Sequence, residues 1–318
     1  MGSSVWVFTQ RLDSTADVVI QELNRRGVPV ARFDLDEITV TAELDGDHWV
    51  GSLSTPSRTV ELDDVAGIYY RRPSPASAPP NVDPEAVEWV EAEIRWGLRG
   101  LLVALPRTLW FNWPPAVHAA EHKPYQLVTA AECGLSVPRT AIVNDPAGAA
   151  RFAAQAGPVL YKAFRSGPVR IGGRTHLTYA TPVTASQCDT ETVRIAPIML
   201  QTIVEKVGDA RVTVVDSQLF GITPRGPVGT VPLDWRIDYN ALDWQPIEIP
   251  APVATGLRKF CDRMDLRFIA CDFSIDRDGT WWWLEANPVG QWAWEHPLVD
   301  QLASAIADAL TGQDFTRD

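Results

Sequence analysis

The stretch CDFSIDRDGTWWWLEANPVGQW, residues 271–292, decides the fold expected for this chain. Two strand patterns flank the turn sequence DRDG, which predicts a β-hairpin. Asp272 is expected beside the strand edge that carries Glu285 and Asn287, and these two share a face because side chains alternate along a strand. Two carboxylates and an amide oxygen are ligands that Mg²⁺ prefers. The stretch therefore predicts a magnesium site, although two amphipathic strands with solvated carboxylates would show the same pattern.

The same alternation assigns faces to the neighbouring aromatic residues. Trp281 and Trp283 are expected on the face of Glu285, and Ala286 on the opposite face. The chain has 13 tryptophans, a number that would also fit sugar stacking. Core or interface positions are the more frequent role of tryptophan, and we expect them here.

Two lysines stand at unusual positions. Lys162 interrupts the apolar strand pattern PVLYKAF, and Lys123 lies where Pro124 breaks a helical pattern. The arginine- and glycine-rich residues 165–175 follow, and they predict a mobile loop. An ammonium group beside such a loop is suited to nucleotide phosphates, although a strand lysine is more often a surface residue. No G-x-x-x-x-G-K-[ST] motif occurs, which excludes a P-loop fold.

Composition narrows the class of protein. The 318 residues suit two or three packed units, and the net charge of −12 argues against nucleic acid as the main partner. No apolar run is long enough to cross a membrane, and we read no signal peptide at the N-terminus. The four cysteines are widely spaced, as expected for reduced thiols in the cytoplasm.

The sequence HAAEH at residues 118–122 matches a zinc-peptidase pattern, but a five-residue match is weak support.

The order of strand and helix patterns predicts an α/β protein. A strand, a helix and a second strand open the chain, as in an open α/β sheet. We place a boundary near residue 112, with an N-terminal α/β domain at residues 1–112 and a second region at residues 113–318. A helical pattern over residues 116–133, broken at Pro124, begins the second region. Within it, about residues 135–200 are expected to form a small subdomain.

The motifs in this order resemble the ATP-grasp fold. The series comprises Lys123, Lys162, the glycine-rich residues 167–173, QTIV at residues 201–204, DAR at residues 209–211, and Asp272 followed by Glu285 and Asn287. The resemblance covers about two-thirds of the chain. It implies an ATP-grasp fold with an N-terminal open α/β, or pre-ATP-grasp, domain. It also implies that the small subdomain covers the nucleotide, and that ATP and Mg²⁺ are bound.

Three further motifs resemble the graspetide, or microviridin-type, peptide cyclases. They are YRRP at residues 70–73, DWR at residues 234–236 and LEANPVGQWAW at residues 284–294. Ala286 departs from the family pattern, on the face away from the expected metal. The resemblance implies that Asp or Glu side chains of a ribosomal precursor peptide are activated with ATP. Ser, Thr or Lys side chains of the peptide then close ester or amide rings.

The resemblance also implies roles for individual residues. The nucleotide is expected to contact Lys123, Lys162, Gln201, Thr202, Ile203, Val204, Asp209 and Arg211. The catalytic set is expected to be Arg72, Arg211 and Arg236, with Arg72 and Arg236 binding the substrate carboxylate. Salt bridges within the fold would equally explain Arg72 and Arg236.

Two other functions fit the same motifs. An ATP-grasp ligase that adds glutamate or another amino acid to a protein tail or a free amino acid would share the ATP site. A nucleotide-binding protein without catalysis would retain part of it. The expected partner is a precursor peptide with a leader and an acidic core, with no nucleic acid and no membrane. A homodimer is left open.

Overall fold

The structure, a computed structural model, describes residues 3–165, 168–225 and 242–312. Its first part alternates strands with two long helices. In chain order these are β1 (Ser4–Phe8), α1 (Ser14–Arg25), β2 (Val30–Phe33), β3 (Thr39–Asp45), β4 (His48–Thr55), β5 (Arg58–Glu61), β6 (Val65–Tyr70), α2 (Val87–Val103) and β7 (Trp110–Phe111). Strands β2, β1, β6 and β7 form a parallel sheet, as the strand-helix-strand pattern predicted.

The parallel sheet is buried on both faces, which explains why β1 is apolar throughout. Trp6 and Phe8 point into a core that also contains Leu98 of α2. Val5 and Val7 point the other way, into a core that includes residues of α1 and of the C-terminal helix. The strand therefore joins two cores through its alternating side chains.

The middle of the chain contributes its first two helices to the core of the large sheet described below and forms a smaller layered unit with its later elements. Its elements are α3 (Pro114–Ala120), α4 (Lys123–Glu132), β8 (Thr140–Val143), α5 (Pro146–Ala156), β9 (Val159–Lys162), β10 (Pro168–Ile171), β11 (Arg174–Leu177), β12 (Thr181–Val183), α6 (Ala185–Cys188) and β13 (Ile198–Thr202). Strands β12, β9, β13 and β8 form one antiparallel sheet. The helical pattern breaks before Pro124, as predicted, so that Lys123 begins α4.

The irregular loop predicted at residues 165–175 is wrong for the part that the structure describes, whereas the mobility of this segment stays a prediction. Residues 168–177 form the antiparallel hairpin β10–β11. Gly172 and Gly173 make its turn, with φ of 56° and 76°. Because glycine adopts positive φ at little cost, two consecutive glycines favour a tight hairpin turn over an irregular loop.

The last part of the chain builds the larger antiparallel sheet. Its elements are β14 (Lys206–Val215), β15 (Gln218–Arg225), β16 (Asp243–Pro246), α7 (Ala251–Met264), β17 (Phe268–Asp276), β18 (Trp281–Asn287) and α8 (Val299–Thr311). The strand order is β16-β15-β14-β17-β18. Among the described residues, no helix is both long and apolar enough to cross a membrane.

Helix α8 packs against the first sheet, so that the last helix of the chain contacts its first strand. Ile306 and Leu310 of α8 share a core with Val5 and Val7 of β1. The approach is close, since a Cβ atom on Gly67 of β6 would lie 2.2 Å from the backbone oxygen of Leu310. The first unit is thus completed by the last helix. The domain limits at residues 112 and 135–200 stay predictions.

Candidate active site

The hairpin β17–β18 contains a β-bulge at the position of the predicted metal ligands. Asp272 pairs with Glu285 and Phe273 pairs with Trp283, so Leu284 is the additional residue of β18. The bulge reverses the alternation from that point. The faces predicted for Trp281 and Trp283 relative to Glu285 are therefore wrong.

Both tryptophans and Ala286 pack into the core of the large sheet. Glu285 instead lies on the face of Asp272, and both residues line an open cleft. Asn287, two residues further along β18, pairs with Ala270. The bulge thus buries the aromatic side chains and leaves the two carboxylates side by side at the cleft.

Cations from other elements neutralise each carboxylate. Nζ of Lys123 lies 3.1 Å from Oε2 of Glu285 and also donates to the backbone oxygen of Ala163 at 2.9 Å. Nη1 of Arg211 donates to Oδ1 of Asp272 at 2.7 Å, across the β14–β17 pair. Because both carboxylates have a cation nearby, they can remain ionised close to each other.

The cleft lies between the small and large sheets, and residues of both sheets line it. Most of the predicted nucleotide and metal residues line it, namely Lys123, Lys162, Gln201, Thr202, Ile203, Val204, Asp209, Asp272 and Glu285. Arg211 reaches the same place through Asp272. The structure therefore brings together residues that are far apart in the sequence.

Two successive side-chain hydrogen bonds lie along the wall of the cleft that β13 forms. Nζ of Lys162 donates to Oε1 of Gln201 at 3.1 Å, and Nε2 of Gln201 donates to Oγ1 of Thr140 at 2.9 Å. These contacts hold the lysine at the cleft surface. The residues that follow, Ile203 and Val204, connect β13 of the small sheet to β14 of the large one.

Sequence reasoning missed two residues that hold Asp209. Its carboxylate accepts from Nζ of Lys206 at 2.6 Å and from Oγ of Ser274 at 3.0 Å, and all three line the cleft. Lys206 follows QTIV by two residues in a lysine-poor sequence, and this signal was available. Ser274 shares a face with Asp272, but its partner on β14 is evident only in the sheet register.

Three arginines converge on the loop that follows β18. Nη2 of Arg72 donates to the backbone oxygen of Val289 at 3.1 Å, and Nη2 of Arg211 donates to that of Gln291 at 3.0 Å. Buried Arg71 donates to the backbone oxygen of Gly290 at 3.0 Å. Partial burial of the guanidinium and the nearby charges of Arg71 and Arg211 lower the pKa of Arg72. The loop therefore carries local positive charge in an acidic protein.

Two further predictions concern the DWR and HAAEH sequences. Arg236, with the rest of DWR, lies outside the described residues, as does Gly167. The rings of His118 and His122 are 5.4 Å apart. In the described part of the chain, no three His, Cys, Asp or Glu side chains are grouped for metal binding, so the zinc-peptidase interpretation has no support.

Asp13 connects the start of α1, through Arg71, to the loop at residues 289–291, which we term the arginine loop. Its carboxylate caps α1 through the N–H groups of Thr15 and Ala16, and it accepts from Nε of Arg71 at 2.8 Å. Burial acts to raise the pKa of Asp13, but the Arg71 charge, the Thr9 hydroxyl and the cap outweigh it and hold the pKa below its usual value.

We expect Asp13→Asn to lower the free energy of unfolding by roughly 3 kcal/mol at neutral pH, because it leaves the buried Arg71 guanidinium without its counter-ion, while the asparagine amide oxygen can still cap the helix. The folded-state pKa is lowered, so the Asp13 contribution is present above the unfolded-state pKa and disappears as pH falls through the folded one. Urea unfolding against pH should show this acid loss in the wild type and less of it in the variant. Asp17→Asn, in the more exposed pair with Arg32, is the control. Equal stability of the two variants would contradict the prediction.

Residues 4–118 match the family described as MvdD pre-ATP grasp domain. No curated protein matches the sequence.

Three solved structures are similar over nearly the whole chain. A Chryseobacterium gregarium RiPP-associated ATP-grasp ligase, in complex with ADP and a leader and core peptide, has a TM-score of 0.89 at 22% identity, covering 99% of this chain and 98% of the other. The macrocyclase MdnC from Microcystis aeruginosa MRC, bound with precursor peptide MdnA, has a TM-score of 0.85 at 26% identity, covering 98% and 100%. The ATP-grasp ligase PsnB, complexed with minimal precursor, Mg and ADP, has a TM-score of 0.74 at 21% identity, covering 97% and 99%.

Proposed function

We infer that the chain is an ATP-grasp ligase of the graspetide type, an enzyme that uses ATP to close rings in a ribosomal precursor peptide. The predicted fold class, an ATP-grasp region after a pre-ATP-grasp domain, is confirmed. One observation in the structure carries the functional inference. Asp272 and Glu285 lie together at the cleft, and each has a cation from a different element beside it.

The donor set fits a magnesium ion. Asp272 and Glu285 offer carboxylate oxygens on one face of the hairpin, and Asn287 would add an amide oxygen. A bound Mg²⁺ would neutralise phosphate charge during phosphoryl transfer. Lys123, beside Glu285, would share that task as a second cation.

The nucleotide is proposed to occupy the cleft between the two sheets. Lys123 and Lys162 would hold phosphates as point charges. The linking segment Gln201, Thr202, Ile203 and Val204 would meet the adenine, and Asp209, held by Lys206 and Ser274, would bind the ribose. These assignments are supported by the positions of the residues along one cleft.

The chemistry follows from the charge of the site. Transfer of the γ-phosphoryl group of ATP to a peptide carboxylate gives an acyl phosphate and ADP. A hydroxyl or amine of the same peptide then attacks the acyl carbon, loses its proton and releases inorganic phosphate. Positive groups that stabilise the transferring phosphoryl charge are sufficient for such a step, and Arg211 and the two lysines would supply them.

The substrate carboxylate is proposed to bind near the arginine loop. The chain carries a net charge of −12, so an acidic peptide requires a locally positive entrance. Arg72 lies close to Arg71 and Arg211 at this loop. Arginine can hold a carboxylate with two parallel hydrogen bonds, which would orient one oxygen towards the nucleotide. Arg236 is the second proposed carboxylate ligand.

We expect Arg72→Ala and Arg236→Ala to reduce ring formation roughly 10- to 100-fold while ADP affinity stays nearly unchanged. The Arg→Lys variants keep the charge but lose the planar fork, so they should recover little activity. Ring count by mass spectrometry and ADP affinity by calorimetry measure the two effects. Arg25→Ala, at an exposed side chain of α1, is the control. If ADP affinity falls together with ring formation, the residue belongs to the nucleotide site or the fold.

A synthetic precursor peptide whose core contains Glu, Asp, Thr and Lys tests the function. Ring closure lowers the peptide mass by one water for each ring, with one ADP formed. An amino-acid ligase would instead raise the mass by a residue. Absence of ADP formation with any peptide would favour a protein that binds nucleotide without catalysis.

We also propose that the reaction takes place in the cytoplasm. Cys133, Cys188, Cys261 and Cys271 are free and buried, and burial raises the pKa of each thiol. Reduced thiols agree with action in the cytoplasm, where ATP and a newly made peptide are both present. The proposed partner is a peptide, and we propose neither a nucleic acid nor a membrane as a partner.

A further inference from the structure

Gln126 is a buried polar residue on the inner side of α4. Only 2% of its surface is exposed, whereas Tyr125 and Val128 of the same helix are exposed to solvent. A buried carboxamide is costly unless its donors and its acceptor are paired. An apolar side chain would fill the same space without that cost, so a glutamine at this position indicates a specific hydrogen-bonding role.

The Gln126 carboxamide forms two hydrogen bonds with a single residue of β18. Its Nε2 donates to the backbone oxygen of Ala286 at 2.8 Å, and its Oε1 accepts from the backbone N–H of Ala286 at 2.8 Å. In the described part of the chain, β18 is the outermost strand of the large sheet. The carboxamide therefore takes the place of a neighbouring strand at Ala286 and fixes α4 in one position along the sheet edge.

The helix break at Pro124 explains a third hydrogen bond of Gln126. In a continuous helix the backbone oxygen of Ala120 would accept from the N–H of residue 124, and proline has no N–H. Nε2 of Gln126 donates to this oxygen instead. Gln126 thus also holds the end of α3 beside the start of α4, where Lys123 is the first helical residue.

The contact between Gln126 and Ala286 lies close in sequence to an active-site ion pair. Lys123 precedes Gln126 by three residues, about one helical turn, and so lies on the same side of α4. Glu285 directly precedes Ala286 in β18. The anchor at Ala286 therefore fixes the backbone of Lys123 relative to Glu285, and Nζ of Lys123 lies 3.1 Å from Oε2 of Glu285.

We propose that Gln126 is a positioning residue for phosphoryl transfer, because it fixes α4 on β18 and thereby holds Lys123 beside Glu285 for the nucleotide phosphates. The inference rests on the proposed function of the cleft, in which Lys123 holds phosphate and Glu285 binds Mg²⁺. Gln126 does not line the cleft, so it acts through the lysine. A displacement of about 1 Å at a catalytic group can lower a rate roughly 100-fold.

A double-mutant cycle with Lys123 tests the proposal. Gln126→Met is similar in size but lacks all three hydrogen bonds, and we expect it to lower kcat for ADP formation roughly 10- to 100-fold. The KM for the precursor peptide should change less than about twofold, since the peptide is proposed to bind elsewhere. Lys123→Met should lower kcat at least as much. The double variant should be no slower than Lys123→Met, because the anchor has no effect on the reaction without the lysine.

Two further measurements do not depend on turnover. The affinity for ADP with Mg²⁺, measured by calorimetry, should follow the same non-additive pattern across the four proteins. Hydrogen exchange on the wild type requires no variant, and the N–H of Ala286 should be strongly protected although it lies at a sheet edge.

Leu102→Ala is the matched control for lost stability. Leu102 of α2 is buried in the core of the first sheet and does not line the cleft. Its truncation, like Gln126→Met, should lower the melting temperature by a few degrees. At a temperature where circular dichroism shows every variant to be folded, Leu102→Ala should keep the wild-type kcat.

Three outcomes would overturn the proposal. Independent, multiplicative effects of Gln126→Met and Lys123→Met on kcat and on affinity show that Gln126 does not act through the lysine. A wild-type kcat in folded Gln126→Met leaves the anchor with a structural role only. Rapid exchange of the Ala286 N–H shows that the anchor is not held in solution. If the wild type forms no ADP with any peptide, the proposed function fails, and the affinity cycle still decides the role of Gln126.

Discussion

Replacement of Glu285 by glutamine is expected to lower peptide-dependent ATP turnover by about a thousandfold or more. The substitution keeps the shape of the side chain but removes one of two negative charges on the face of the hairpin that is proposed to bind the metal. Lys123 then lies 3.1 Å from a neutral amide instead of a carboxylate. The excess positive charge should weaken Mg²⁺ binding and misplace the lysine relative to the phosphates.

Two measurements make the result specific to the metal. Calorimetry of ADP binding with and without Mg²⁺ should show that the variant loses the Mg²⁺-dependent part of the affinity. Glu248→Gln, an identical substitution at an exposed glutamate, should change neither turnover nor binding. Wild-type turnover of Glu285→Gln at saturating Mg²⁺ would remove Glu285 from the ligand set, and unchanged thermal unfolding excludes a folding defect as the cause.

Arg211→Met is expected to abolish turnover and to lower the free energy of unfolding by about 3–5 kcal/mol. The exposed fractions of the Arg211 and Asp272 side chains are only 7% and 8%. Removal of the guanidinium takes the 2.7 Å cation from a buried carboxylate and also its hydrogen bond to Gln291. Desolvation of the remaining charge accounts for most of the loss.

A double-mutant cycle separates this pair from a general packing effect. Adding Asp272→Asn to Arg211→Met removes the buried charge, so the double variant should be more stable than Arg211→Met. Arg267→Met is the control, because Arg267 pairs with Asp216 at the same 2.7 Å distance in a half-exposed setting, where a pair contributes about 1 kcal/mol or less. Additive effects of Arg211→Met and Asp272→Asn in urea unfolding would contradict direct coupling.

The sequence predicted the parts of the site that depend on neighbouring residues. The turn DRDG and the strand patterns on either side were sufficient to place Asp272 beside Glu285, since hairpin pairing follows from turn chemistry and strand length. Gly279 has the positive φ that such a turn requires. The break at Pro124 was equally predictable, because proline lacks the N–H that a continuing helix needs.

The predictions from sequence were wrong where packing of the whole chain overrode a local rule. Strict alternation placed Trp281 and Trp283 with Glu285, but the bulge at Leu284 separates them. The bulge lets large indoles enter the core while the carboxylate faces the cleft, a preference that depends on what packs against each face. In residues 165–175 the glycines were interpreted as an irregular loop, whereas two of them form a hairpin turn.

By itself, then, the sequence determined the two strands that carry Asp272 and Glu285, the hairpin that joins them and the ordered series of motifs on which the ATP-grasp resemblance rests. Only the tertiary structure decided which charges meet. The Arg211–Asp272 pair joins residues 61 positions apart, and Arg71 holds a loop 219 positions away. The physical reason is that such contacts follow from the register of distant strands and from the return of α8 to the first sheet. Both are determined by packing of the whole chain and leave no periodic signal in a local stretch of sequence.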